Sequence, residues 1–222
     1  MLLLLPPSEG KATPVRGKPA DLDALTYSEA LGPLRERLID SIDPGLRQAP
    51  AARSSRIYTG VLYGELDLAS LPPLARRRTA ANVLIASGLW GLIRPTDRIP
   101  TYKLPIGEPV PRIGGLAAAW RPLVHEALAE LDIKRRLVVD CRSGAYATVW
   151  RPANAAHVEV RAFRQNADGS RRPISHMAKA ARGRIARVLL TAPKLPGSPE
   201  AVAGAAGAAG GEVVLTRRGA NP

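Results

Sequence analysis

At 222 residues the chain is long enough for one domain with an ample core. Its aliphatic composition, 45% hydrophobic with 20 glycines, 21 prolines and one phenylalanine, is that of a globular protein. No apolar run approaches the ~20 residues that span a bilayer, and the single cysteine excludes an intrachain disulfide. A formal net charge of +13 makes a field that concentrates polyanions, so nucleic acid is the natural partner unless the charge reflects only a general richness in surface arginine.

"MLLLL" stops at Pro6-Pro7 with no basic leader before it, and reads as a buried strand of a cytoplasmic protein with no membrane partner. The loop "PPSEGKATPVRGKP" follows and carries Lys11. "DLDALTYSEALGPLRERLIDSI" has helical spacing, with a break expected near Gly32-Pro33. "SRIYTGVLYGELDLASL" is ambiguous between a short strand and a helix-capping turn. "LARRRTAANVLIASG" reads as a helix or strand leading into "SGLWGLIRPTDRIPTYKLPIG", a passage of glycines, prolines and polar side chains without apolar periodicity. "RPLVHEALAEL" predicts a helix with Pro122 in its first turn. "RRLVVDC" predicts a buried strand whose exit loop, "RSGAY", is placed where ligands often sit.

"HVEVRAFRQNADGSRRPISH" alternates about a turn signal at Asn166 to Gly169, which predicts a β-hairpin. In "MAKAARGRIARVLL" a helical wheel puts Ala178, Ala181, Ile185, Val188 and Leu189 on one side and Lys179, Gly183 and Arg187 on the other, with Arg182 at the border. "AVAGAAGAAGG" is a poor helix or a connector, and "EVVLTRRG" a last strand. The order of elements predicts an α+β protein, one compact domain over residues 1–222 with a mixed β-sheet enclosed by helices.

Several short segments carry polar groups suited to chemistry. Lys11 lies in "PPSEGKAT", which fails the GxxxxGK[ST] spacing of a P-loop; it is either a solvated loop lysine or a lysine directed into a cleft as phosphate ligand or amine nucleophile. Gly88 and Gly91 flank Leu89-Trp90 in a turn that lets backbone N–H groups approach phosphate, loosely like a helix-hairpin-helix element, or that simply packs under Trp90. Arg94, Asp97, Tyr102 and Lys103 add polar groups there. Asp140, Arg142, Ser143 and Tyr146 crowd into "DCRSGAY", but no histidine has the context of a base for Ser143. Cys141, ending an apolar strand, reads as an inert buried thiol. No cluster has metal-ligand spacing, and no cofactor is implied.

Taken together, the apolar strand running into "PPSEGK", then "YTGVLYGELD", "ASGLWGLIRPTDRIPTYKLPIG", "VDCRSGAY" and "SHMAKAARGRIAR", resemble the bacterial peroxide-stress protein family of the YaaA type over nearly the whole chain. The resemblance implies a cytosolic fold with a helix-hairpin-helix-like element and a basic cleft, double-stranded DNA bound with little sequence selectivity, and a role in limiting peroxide damage. By position it implicates Lys11, Tyr58, Gly60, Ser87, Gly88, Arg94, Asp97, Tyr102, Ser143, Tyr146, Lys179, Arg182 and Gly183; Arg142 joins them from the same exit loop. A shorter stretch between Ile42 and Ile57, "RSGAY" where an acidic residue often precedes the tyrosine, and methionine before "AKAARG" depart from the family pattern.

The alternative is an enzyme acting on a nucleotide, nucleobase or modified DNA in the same cleft, with Lys11 or Tyr146 as its catalytic group. A lowered pKa of Lys11 in a closed pocket favours the enzyme, and an open groove of solvated cations favours simple binding. The central passage and the "AKAARG" helix are expected to form opposite walls of one cleft, with Arg94 and Tyr102 facing Lys179 and Arg182, and Lys11 on its floor.

Overall fold

The computed structural model describes residues 1–209 except 130, 154, 166–170 and 174. Its strands and helices are, in chain order, β1 (Leu2–Leu5), α1 (Ser28–Ile42), α2 (Ser54–Ile57), α3 (Val61–Leu66), α4 (Pro73–Asn82), β2 (Val83–Ser87), β3 (Gly91–Ile93), α5 (Leu116–Ala129), β4 (Val138–Asp140), α6 (Gly144–Ala147), β5 (His157–Glu159), β6 (Phe163–Gln165), β7 (Arg171–Pro173), α7 (Ser175–Thr191) and α8 (Pro199–Gly207). Two-residue bridges and short 3-10 turns fill the connections.

The main sheet has the order β3-β2-β1-β4-β5. β1 lies parallel to both β2 and β4, β5 is parallel to β4, and only β3 runs antiparallel, to β2. The continuous apolar runs of β1 and β2 are what a parallel strand covered on both faces requires, and every residue of both is buried. α1 packs on α5, and α3 packs along α7, which also meets α4 and α8. One contiguous core joins these elements, as the α+β reading predicts.

The structure corrects several local expectations. α1 runs unbroken through Pro33, because Leu31, Leu34, Leu38 and Ile39 anchor its buried stripe on both sides of that residue, which itself stands on the exposed side. α5 begins at Leu116, ahead of the expected start, held by fully buried Leu116 and Trp120, so Pro122 is an interior residue of the helix. "SRIYTGVLYGELDLASL" forms α2 and α3 rather than a strand. In the predicted hairpin only β6 and β7 pair with each other, since "HVE" is taken into the main sheet as β5; its turn, and "EVVLTRRG", lie outside the described residues.

Gly88–Gly91 does not form a helix-hairpin-helix element. It is the tight turn between antiparallel β2 and β3, with Ser87 opposite Gly91. Gly91 takes φ +68, a conformation glycine adopts without strain, and a Cβ there would press on the Trp120 ring. At Gly88 a Cβ would stand 2.2 Å from the Leu104 carbonyl oxygen, and the Gly88 carbonyl itself accepts from Trp120 Nε1 at 2.8 Å. This backbone is packed into the core rather than presented to a ligand.

Candidate functional site

The first loop crosses the start of the α2–α3 segment as a single antiparallel bridge pairing Lys11 with Tyr58. Ala12 N–H donates to Ile57 and Thr59 N–H to Gly10, at 2.8 and 3.2 Å. Ser8 Oγ accepts from Gly60 N–H at 2.7 Å, where any Cβ on Gly60 would collide with that hydroxyl. Tyr63 donates its hydroxyl to the Pro6 carbonyl. "PPSEGK" and "YTG" are thus one structural unit.

Against that unit lies a row of hydroxyls. Tyr102 OH is 2.8 Å from Tyr58 OH and 2.7 Å from Ser87 Oγ, and Ser87 Oγ also accepts from Trp90 N–H. The Lys11 ammonium nitrogen sits 4.6 Å from the centroid of the Tyr102 ring and 5.9 Å from that of Tyr58, within range of a cation–π attraction. Tyr146 borders the group: its hydroxyl accepts from Ile106 N–H at 3.3 Å, and it lies within electrostatic reach of Tyr102 and Glu9. At the exposed rim Lys179, from the first turns of α7, pairs with Glu9 at 3.5 Å.

Burial shifts these groups in opposite directions by one cause, the penalty on charge in a low-dielectric setting. It pulls Lys11 below the usual lysine range, partly opposed by the Glu9 charge. It pushes Tyr58, Tyr102 and Tyr146 up, so the phenols stay protonated and neutral. Lys11 thus lies half-buried among neutral hydroxyls, with no ion pair or hydrogen bond among the described residues.

The other sequence-selected residues lie in several different settings. Arg94 turns its guanidinium onto the Ala80 and Ala81 carbonyls at the end of α4. Asp97 is a buried tie that accepts from Thr26 N–H and Oγ1 and from Arg94 N–H. Arg182 donates to the Val160 carbonyl. Gly183 is buried against α3, off the face expected for it. Ser143 precedes α6 without capping it.

Arg142 is 2% exposed and binds Asp140 through Nε and Nη2 at 2.9 and 2.7 Å, while also donating to the Tyr146 and Trp150 carbonyls. Burial raises the Asp140 carboxyl, but His157 Nε2 at 3.5 Å, the hydrogen bonds from Arg142 and the Arg142 charge outweigh it and hold the group well below the usual carboxylate range. The neighbouring Cys141 thiol, fully buried, is pushed up to about 12 and stays inert.

Three contributors escape sequence reasoning. Arg35 is completely buried and donates to the carbonyls of Trp90, Thr26 and Leu92; burial, partly offset by Asp97, draws it down to about 10. Ser8 and Glu9 fix Gly60 and Lys179, and their only sequence signal is their place inside "PPSEGK". Among the described residues no group of histidine, cysteine and carboxylates is arranged to hold a metal ion, and no helix is long and apolar enough to cross a membrane.

Residues 16–200 match the family model described as "Peroxide stress protein YaaA". A UPF0246 protein of Streptomyces coelicolor is 40% identical, over 90% of this chain and 86% of its own length. One of Corynebacterium glutamicum is 36% identical, over 95% and 93%, and one of Corynebacterium efficiens 34%, over 87% and 86%.

Proposed function

This chain belongs to the peroxide stress protein YaaA family, and from that premise we propose that it acts by binding the phosphate backbone of DNA through Lys11 and Lys179, both of which interact with Glu9. The observation that carries the reading is the seat of Lys11, a cation held half-buried beside neutral phenols, with no ion pair among the described residues and only the exposed Glu9 carboxylate acting on it from nearby. An incoming phosphate supplies the missing counter-charge. It also displaces Glu9 from Lys179 at small cost, because an exposed ion pair contributes only about 0–1 kcal/mol.

The phenol rings are too buried to stack on bases, with Tyr58 2% and Tyr102 6% exposed. Recognition is therefore of backbone rather than of sequence. The net charge of +13 steers a duplex toward the protein.

Binding of a labelled duplex, followed by fluorescence anisotropy, tests this. Two phosphates neutralised by Lys11 and Lys179 alone predict a slope of log Kobs against log salt of about −2 or steeper. Duplexes of unrelated sequence should bind alike. Affinity that is flat between about 50 and 200 mM salt, or confined to one sequence, overturns the reading.

A further inference from the structure

We propose that Lys11 is a nucleophilic amine that forms an imine with the aldehyde carbon of an oxidised or abasic deoxyribose in DNA, an inference that rests on the DNA-binding reading above. Lys11 is held half-buried by its bridge to Tyr58, and its amine lies over the rings of Tyr102 and Tyr58. The adjacent acid, Glu9, pairs with Lys179 and acts on the Lys11 amine through its charge without forming an ion pair with it among the described residues.

Nucleophilic attack requires the neutral amine, and burial increases its share at neutral pH. The surrounding phenols remain protonated donors. Tyr146, which only accepts at its hydroxyl oxygen from Ile106 N–H, keeps its own proton uncommitted among the described residues.

The substrate class follows from the chemistry of the stress. Radical oxidation of deoxyribose leaves aldehydes flanked by phosphates, and the site pairs a nucleophilic amine with a second cation, Lys179. The Lys11 lone pair attacks the carbonyl carbon, the C=O π electrons pass to oxygen, and that oxygen takes a proton to give a carbinolamine. Nitrogen then expels the hydroxyl, which leaves with a second proton as water. The net change is amine plus aldehyde to imine plus water, with protons supplied by and returned to the hydroxyls and solvent, and no oxidant or reductant is consumed.

The test uses the full chain, an end-labelled duplex with one abasic site, and sodium cyanoborohydride, which reduces an imine to a stable secondary amine. At neutral pH a covalent adduct should form only with reductant present, and peptide mapping should place it at Lys11 rather than at exposed Lys18 or Lys103. A tetrahydrofuran abasic analogue, which lacks the aldehyde, should give none. Lys11→Arg, whose guanidinium cannot form the imine, should lose the adduct. Mapping on the unaltered protein decides the matter even if that variant fails to fold.

No adduct, or one spread over several lysines, overturns the imine. If intact duplex still binds with the expected salt dependence, the DNA-binding reading survives that result. Trapping at Lys11 by free glyceraldehyde 3-phosphate but not by the duplex overturns DNA as the substrate.

Discussion

Replacing Arg142 by methionine is expected to destabilise the protein by about 3–5 kcal/mol, since it strands the Asp140 carboxylate in the core without its partner. Asp140 and Arg142 are 1% and 2% exposed and joined at 2.7 Å. Two carbonyls, of Tyr146 and Trp150, also lose their donor. Urea denaturation of the variant beside the parent measures the loss, and a difference below about 1 kcal/mol would deny the pair this weight.

The pH dependence has a definite sign. Because the folded-state pKa of Asp140 is depressed, its contribution is fully present above the ordinary carboxylate range of about 4 and fades as pH falls through the folded value. The gap between parent and Arg142→Met should therefore narrow on acidification. Substituting both partners, Asp140→Leu with Arg142→Met, should recover much of the loss.

Gly183→Ala should destabilise by about 2 kcal/mol, despite alanine's better helix propensity. The new Cβ would stand 2.3 Å from the Leu62 carbonyl oxygen and 2.8 Å from Glu65 Cβ. A backbone oxygen cannot rotate away, so α3 and α7 must part, disturbing the Arg184–Glu65 pair and the bonds from Arg187 to the Leu66 and Asp67 carbonyls. Gly64→Ala is the control. It lies in α3 with nothing within 4 Å of its Cβ position, and should stabilise by up to about 1 kcal/mol. Thermal unfolding of the two variants in opposite directions confirms the packing role. A Gly183→Ala protein of full stability that has lost DNA affinity would return this glycine to the ligand site.

The parts of the site legible in sequence were those whose motif residues bond to one another. "PPSEGK" and "YTG" meet through the Lys11–Tyr58 bridge, and "ASG" meets "TYK" through Ser87 and Tyr102. The arginines were not legible in this way. In a loop rich in glycine and proline, an arginine poised for phosphate has the same sequence context as one turned onto a carbonyl, and Arg94 is turned onto carbonyls; on α7 Arg182 likewise donates to the Val160 carbonyl. Gly183 illustrates the same limit, because close approach to a helix and close approach to a ligand both require the absence of a Cβ. Arg35 shows the converse: helical spacing placed a charge on the buried stripe, and only tertiary structure supplies the three carbonyls that accept from it.

The fold was more accessible, because its central strands open on continuous apolar runs. The helix limits were less so, since tertiary anchors such as Leu116 and Trp120 override the local signal of a proline.

Central to the account is that DNA is engaged at Lys11 rather than by diffuse surface charge. Duplex affinity across a salt series for the parent, Lys11→Gln and Arg94→Gln, each first shown to be folded, measures this most directly. Loss of the Lys11 charge should weaken binding uniformly across sequences and make the salt slope shallower by about 1, whereas Arg94→Gln should leave the slope unchanged because its guanidinium is committed to the end of α4. A Lys11→Gln protein with the parent's affinity and slope, or an Arg94→Gln protein that loses as much as Lys11→Gln, would contradict the account.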